Sequence, residues 1–273
     1  MAKTLSLSII VPAYNEEATI SIILEKVSHI PYLKEIIVVD DGSTDNTVRL
    51  VSEMNLPLVQ LIEQPHNEGK TAAIHRGLQE VTGDITMFQD ADLEYDPDEI
   101  EGVIKPILDD RADVVYGSRF LVRRATRVLY FYHYLANKSL TFLSNILTNV
   151  NMTDIETCYK AFRTPLIKNL NLTSSGFGME VEITALITKT NARIYEVPIS
   201  YYGRTYEEGK KIKFSDGFSA LWYIFFYNIS PRFSKSRQQY IRSANTFLSS
   251  LAHQPIDDQS GEPVQGISYA HRD

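Results

Sequence analysis

Glu35-Ile36-Ile37-Val38-Val39-Asp40-Asp41-Gly42-Ser43 is the stretch on which the fold turns. Ile36 to Val39 are β-branched and consecutive, with no polar residue between them. A strand that shows no polar face belongs inside a sheet covered on both sides, the usual setting of parallel strands. The run then stops at two carboxylates and a glycine, the chemistry of a turn. Asp40 and Asp41 are therefore predicted at the carboxyl end of a buried strand. There a carboxylate can accept hydrogen bonds from a base or a ribose, and Ser43 or Thr44 can cap the following helix; both roles can hold at once.

The same alternation continues on either side. Leu7–Pro12, Leu58–Ile62, Ile85–Phe88 and Asp113–Tyr116 read as strands. Glu16–Ile30, Thr44–Met54, Lys70–Val81 and Pro97–Leu108 read as helices, the last with proline in its first turn. Alternating β and α segments predict an α/β fold, a mostly parallel Rossmann-like sheet with helices on both faces. Right-handed crossovers gather the strands' carboxyl ends along one edge, where such sheets bind ligands. Pro12–Glu16, Asp40–Ser43 and Asp90–Glu94 all fall at that edge.

Beyond about Arg123 the pattern changes. Val128–Val150 reads as a long aromatic helix, Asp154–Phe162 as a short strand or turn, and Gly178–Thr190 as a helix. Arg193–Tyr201 reads as a strand and Ser215–Ile229 as an amphipathic or buried helix. After Ser230 the chain turns polar. The division predicted is a catalytic domain over residues 1–230 and a polar, disordered tail over 231–273, Ser243–Asp273 above all.

Composition narrows the function. The chain has 273 residues and a formal net charge of −7, which argues against a nucleic-acid partner. A lone cysteine, Cys158, excludes an intramolecular disulfide framework and fits a reducing, cytoplasmic compartment. The apolar run near the N-terminus reads as a buried strand and not as a signal peptide. No run reaches the roughly 18 to 20 apolar residues needed to span a bilayer, Gly217–Ile229 being the nearest. The six histidines show no zinc-ligand spacing.

Asp90-Ala91-Asp92 is the sharpest chemical signal. Two carboxylates one residue apart, just past a buried strand, suit a hard divalent cation whose shell water and phosphate oxygens complete, and Glu94 could add a third protein oxygen. A solvated acidic turn is the plain alternative, and the position after Ile85–Phe88 weighs against it. Gly69-Lys70-Thr71 is an incomplete phosphate loop, because Gln64 stands where a glycine is required. Lys70, at a helix start, could still help hold a pyrophosphate. Arg119 follows a strand, and Arg204 and Lys210 belong to a basic loop suited to closing over phosphates. Cys158 has no base in any local signature and reads as structural.

Taken together, these residues resemble the family 2 glycosyltransferases of the GT-A fold, and within them the polyprenyl- or dolichyl-phosphate hexose synthases. The matching elements are Ile10-Val11-Pro12-Ala13-Tyr14-Asn15-Glu16-Glu17, Val39-Asp40-Asp41-Gly42-Ser43, Asp90-Ala91-Asp92-Leu93, Gly117-Ser118-Arg119-Phe120, and Arg204 with Lys210. Asp154-Ile155-Glu156-Thr157-Cys158-Tyr159-Lys160 resembles the acceptor-side segment, and Glu196-Val197-Pro198-Ile199 the strand before the mobile loop. The likeness runs from about residue 6 to residue 230 and implies a GT-A domain followed by amphipathic C-terminal helices. It implies that Pro12, Tyr14, Glu16, Val39 and Asp41 meet the base and ribose. Asp90, Ala91 and Asp92 would meet the sugar diphosphate and its Mg²⁺ or Mn²⁺, with help from Glu94, where many relatives carry glutamine. Arg119, Arg204 and Lys210 would bind donor and acceptor phosphates.

The expected reaction moves a hexose from a nucleoside-diphosphate sugar to a lipid phosphate, with inversion. A phosphate acceptor is already anionic and needs no strong base, so catalysis rests on Asp92, Arg119 and positioning. A hydroxyl of a polysaccharide, glycan or glycolipid is the alternative acceptor. It would need a base, and Asp154 is the candidate, with a salt bridge or helix cap as its plainer role. A non-catalytic nucleotide-sugar-binding partner is the alternative from another class. Many bacterial members carry C-terminal membrane spans and this sequence has none, so attachment to the cytosolic face is expected to be peripheral. The aromatics of Val128–Val150 and Phe218–Tyr227, with Arg232, Lys235, Arg237 and Arg242 nearby, would supply it. Packing on the core or an oligomer interface would explain the same residues.

Overall fold

The apolar runs pair into one seven-stranded sheet of order β3-β2-β1-β4-β6-β5-β7. A computed structural model describes residues 4–121, 130–174, 176, 178–203, 214–229 and 234–251. Its strands are β1 (Leu7–Ala13), β2 (Leu33–Asp40), β3 (Val59–Glu63), β4 (Ile85–Phe88), β5 (Val114–Ser118), β6 (Lys160–Arg163) and β7 (Ile194–Pro198). The helices are α1 (Ile20–Ser28), α2 (Thr47–Glu53), α3 (Lys70–Glu80), α4 (Ile100–Leu108), α5 (Phe131–Thr148), α6 (Thr164–Lys168), α7 (Gly178–Ile187), α8 (Phe214–Ile229) and α9 (Lys235–Ser250).

β1 runs parallel to β2 and β4, β2 to β3, and β5 to β7. Ile36 to Val39 are wholly buried, as the unbroken apolar run requires. α1 covers the sheet with Ile20, Ile23, Leu24 and Val27, one face of a 3.6-residue period. α4 does the same with Ile100, Val103, Ile104 and Ile107.

β6 breaks the parallel pattern by running antiparallel to both β4 and β5. A strand that enters the sheet in reverse begins where its neighbours end. The chain leading into β6, residues 154–159, is thereby brought to the carboxyl edge of β4 and β5. The backbone of Gly117 donates to the Tyr159 carbonyl there at 2.7 Å.

The predicted polar tail needs correction. Residues 235–250 form α9, capped by Ser234, whose hydroxyl accepts from the Arg237 amide at 3.5 Å. Tyr240, Ala244 and Leu248, spaced by four, are buried, and the Tyr240 hydroxyl donates to the Leu166 carbonyl at 2.8 Å. A narrow apolar stripe on an otherwise polar helix has a low average hydrophobicity, which is why composition alone missed it. Residues 252–273 lie outside the described part of the chain.

Candidate active site

The loops after β1, β2, β4 and β5 meet at the sheet's carboxyl edge, and the first two fasten each other. The amides of Asn15, Glu16 and Glu17 donate to Ser43 Oγ, Thr47 Oγ1 and Asp45 Oδ2 at 2.9, 2.9 and 3.1 Å. Helix α1 therefore starts at Ile20, later than Glu16, because this turn is spent on tertiary bonds. Tyr14 is left 37% exposed at the rim, with Pro12 half-buried before it.

In the β2 loop Asp40 accepts from the amides of Gly42 and Ser43 at 3.1 and 2.9 Å. Gly42 has φ +74°, and a Cβ there would lie 2.8 Å from the His66 backbone, so the turn requires glycine. Asp41 accepts from the amides of Glu68 and Gly69, both at 2.8 Å, and fixes the start of α3. Each Asp41 oxygen thus accepts one loop amide, which holds the residue predicted to meet the base or ribose in place. The Val39 side chain is wholly buried against Gly77 of α3, which leaves only its backbone for a ligand.

The β4 loop carries the acids. Asp90 Oδ1 lies 2.6 Å from Lys70 Nζ, and Lys70 also donates to Cys158 Sγ at 3.4 Å. Asp92 Oδ1 accepts from the Glu94 amide at 3.1 Å, and Leu93 between them adopts φ +63°. Burial, then the charges of Asp90 and Glu94, push the Asp92 carboxyl up to about 7. Two crowded oxygen donors with one ammonium against them fit a hard divalent cation, which would relieve their repulsion. Glu94, predicted as a third ligand, instead accepts from the Tyr201 hydroxyl at 2.7 Å. Among the described residues no three carboxylate, histidine or cysteine side chains converge on one point. Asp90 and Asp92 could therefore supply two protein ligands, and phosphate and water would have to complete the shell.

The β5 loop carries Arg119. Its Nε and Nη2 donate to the two oxygens of Asp154, each at 2.7 Å, and its amide adds a bond of 3.1 Å. The guanidinium also lies 5.2 Å from the Tyr201 ring centroid, a cation–π contact. Asp154 is wholly buried. The base role predicted for a hydroxyl acceptor does not suit it, since both oxygens are committed and no solvent-facing side remains. Glu196 of β7 holds this segment in turn, accepting from the amides of Thr153 and Asp154 at 2.9 and 3.1 Å. Arg204 and Lys210 lie outside the described residues.

The structure thus brings Lys70, Asp90, Ala91, Asp92, Arg119 and Asp154 to one edge, together with Tyr14 and Glu16. Sequence reasoning missed Glu196 and Tyr201 as anchors, and the buried group around Lys160. Lys160 is 1% exposed, donates to the Thr157 carbonyl and sits 5.2 Å from the Tyr116 ring centroid. Burial lowers its pKa, against the opposing pull of Glu180, Cys158 and Glu156. Charged residues inside an apolar strand signature were the one available sign, because a buried charge needs partners nearby.

A family model described as Glycosyl transferase family 2 matches residues 8–170, more than half of the chain. The UDP-N-acetylglucosamine–dolichyl-phosphate N-acetylglucosaminyltransferase of Methanococcus voltae is 29% identical over 233 residues, covering 78% of this chain and 92% of that protein. The polyprenol monophosphomannose synthase of Mycolicibacterium smegmatis is 27% identical over 206 residues, covering 72% of this chain and 77% of that protein. In fold, the chain is similar to glucosyl-3-phosphoglycerate synthase from Mycobacterium tuberculosis, solved in complex with Mn²⁺, UDP-glucose and phosphoglyceric acid. The TM-score is 0.62 at 20% identity, over 82% of this chain and 80% of the other. At that identity the likeness carries the GT-A fold alone.

Proposed function

The chain belongs to glycosyl transferase family 2, and from that premise we propose that it moves a hexose from a nucleoside-diphosphate sugar to a polyprenyl or dolichyl phosphate. The reaction takes place at the cytosolic face of a membrane, with inversion and with Mg²⁺ or Mn²⁺. The observation that carries this reading is Arg119, locked by a buried Asp154 at the foot of an exposed aromatic face.

Two N–H groups of Arg119 are spent on Asp154, and the remaining donors are free of that carboxylate and fixed in direction. A preset guanidinium suits a phosphate oxygen. A phosphate acceptor also asks for no base, which agrees with Asp154 being closed off. Phe120, the next residue, meets Tyr134 of α5 edge-on at 5.3 Å between centroids, and Lys138 lies 4.3 Å from the Phe120 ring centroid. From there the surface becomes apolar. Phe131 is 66% exposed and Tyr132 81% on α5, and Trp222 is 66% exposed on α8, which packs against α5. Among the described residues no helix is long and apolar enough to cross a bilayer. Aromatic side chains on two adjoining helices suit the headgroup–acyl boundary, where a lipid phosphate would present its anion to Arg119. The names of the two curated relatives, which act on dolichyl and polyprenyl acceptors, support the same reading.

At the donor end, Asp90 and Asp92 would hold the cation and Lys70 would lie beside the diphosphate. When bound, the cation offsets the negative charge that grows on the departing nucleoside diphosphate. Pro12, Tyr14 and Glu16 would flank the base and ribose, and Arg204 and Lys210 would close over the phosphates. The acceptor oxygen attacks from the side opposite the leaving group, which inverts the anomeric centre.

The test is transfer of label from GDP-mannose, UDP-glucose and UDP-N-acetylglucosamine, with Mn²⁺, to vesicles carrying polyprenyl phosphate. Parallel arms offer 3-phosphoglycerate or an oligosaccharide. Label in the extracted lipid phosphate is expected. Label in phosphoglycerate alone, or in oligosaccharide alone, would overturn the acceptor.

A further inference from the structure

Between the two phosphate-directed ends of the crevice, the protein leaves its own hydrogen bonding unfinished. Glu156 stands two residues after Asp154, which grips Arg119, and two before Cys158. The Cys158 sulfur accepts from Lys70 at 3.4 Å, and Lys70 in turn holds Asp90 at 2.6 Å. Along the chain Glu156 thus stands between the residue that holds Arg119 and the residue that meets Lys70, and it is near enough to Arg119, Asp154, Lys160 and Glu180 to feel their charges. Its Oε1 is buried and has no hydrogen-bond partner among the described residues, and the same holds for Oγ1 of Thr157 beside it. Folded proteins seldom leave such atoms unpaired, and two on consecutive residues within a ligand-binding edge call for a hydroxyl-bearing guest. A hexose passing from one phosphate to another must lie between the groups that hold the two phosphates.

We infer that Glu156, with Thr157 beside it, reads the hydroxyls of the transferring hexose. The inference rests on the nucleotide-sugar reading given above. Charge supports the geometry. Burial, then the negative charge of Glu180, pushes the Glu156 carboxyl up to about 8, against Lys160 and Arg119, which pull it down. At neutral pH the group is mostly the uncharged acid, with one O–H to donate and one carbonyl oxygen to accept. A sugar hydroxyl also donates and accepts, so the pair is complementary. A carboxylate would offer acceptors only, and it would repel the diphosphate nearby. Glu180, 6% exposed in the first turn of α7, is the nearby negative charge that keeps Glu156 in its uncharged form.

The deciding experiment compares Glu156→Ala and Glu156→Gln with the native protein. Calorimetry in Mn²⁺ measures binding of UDP-glucose, UDP-N-acetylglucosamine and GDP-mannose against UDP and GDP. Glutamine keeps one donor and one acceptor at the same reach, and alanine removes both. Glu156→Ala should weaken binding of the nucleotide sugar about tenfold and leave the bare nucleotide within about twofold. Glu156→Gln should stay within about threefold of native for both, with a native melting temperature. Equal weakening of nucleotide and nucleotide sugar would make Glu156 a scaffold residue and overturn the inference. Native binding of the sugar by the alanine variant would assign the unpaired atoms to water only. A glutamine variant as weak as alanine would overturn the hydroxyl-reading role in favour of a charged one. If the native protein itself binds none of the three nucleotide sugars, the underlying function fails instead, and the two failures are told apart.

Discussion

The two ends of the crevice bury charge in opposite ways. At the end of β4, Asp90 and Asp92 crowd together with Lys70 as the ion-paired cation, and burial with that crowding holds Asp92 near neutral pH at about 7. At the end of β5, Arg119 and Asp154 neutralise each other through two bonds of 2.7 Å, and Glu196 fixes the segment from behind. The first end is electrostatically incomplete and costs stability without a ligand. The second is complete and rigid beforehand. A site that recruits a cation gains from the first arrangement, and a site that must aim a guanidinium gains from the second.

Asparagine substitutions break the comparison most sharply, because activity and stability should part company. Asp92→Asn should lower turnover by a factor of about a thousand or more and leave the melting temperature unchanged or higher, since a repelled carboxylate is removed. Unchanged turnover would end the metal assignment. Asp154→Asn should also abolish turnover, but it leaves Arg119 buried against a neutral group. Breaking a buried pair costs about 3–5 kcal/mol, so thermal unfolding should show a fall of roughly 10 °C. A stability cost at position 92 equal to that at 154 would erase the distinction between the ends.

Metal and nucleotide sharpen the same contrast at intermediate size. Mn²⁺ with UDP or GDP should raise the melting temperature of the native protein by several degrees, by linkage at about a hundredfold excess over Kd. EDTA should reverse the rise, and Asp92→Asn should not show it. At the acceptor end, Trp222→Glu should reduce co-sedimentation with vesicles containing anionic lipid about tenfold, at an unchanged melting temperature. Undiminished vesicle binding would return α8 to a packing or oligomer role.

The parallel half of the fold was legible because its signal is local. Ile36 to Val39 and Ile85 to Phe88 announce buried strands by themselves, and the acids after them are at the edge by topology alone. Pairings far apart in sequence left no such mark. Arg119 and Asp154 stand 35 residues apart, Glu94 and Tyr201 107 apart. No periodicity reports either contact, so Glu94 read as a metal ligand and Asp154 as a possible base. The direction of β6 was hidden for a related reason. Lys160 and Arg163 give that strand a polar look, and Asp113 and the Thr157 carbonyl satisfy them only in the folded sheet. In α9 only Tyr240, Ala244 and Leu248 of 16 residues are buried, too few to outweigh a polar composition.

The smallest effect concerns the middle of the crevice, and pH reads it. Glu156 titrates at about 8 in the folded protein, above its ordinary 4.5, and Asp92 at about 7, above its ordinary 3.8. For an acid raised on folding, the native state holds a proton that the unfolded chain has already lost. The associated stability is full below the unfolded value and is lost as pH rises through the folded one. Asp92 should therefore stop contributing to the decline near pH 7, and Glu156 should carry it on toward pH 8. Glu180 and Asp154 press Glu156 in this direction, while Lys160 and Arg119 oppose it, and Glu156→Gln removes the titrating group altogether. Melting temperatures followed from pH 5 to 9 should fall less steeply for Glu156→Gln, by on the order of a few degrees across the range, with the gain extending above pH 7. Asp92→Asn should flatten only the lower part of the curve. Parallel curves for native protein and Glu156→Gln would mean that Glu156 is already charged when folded, and the crevice would then have no neutral centre between its two ends.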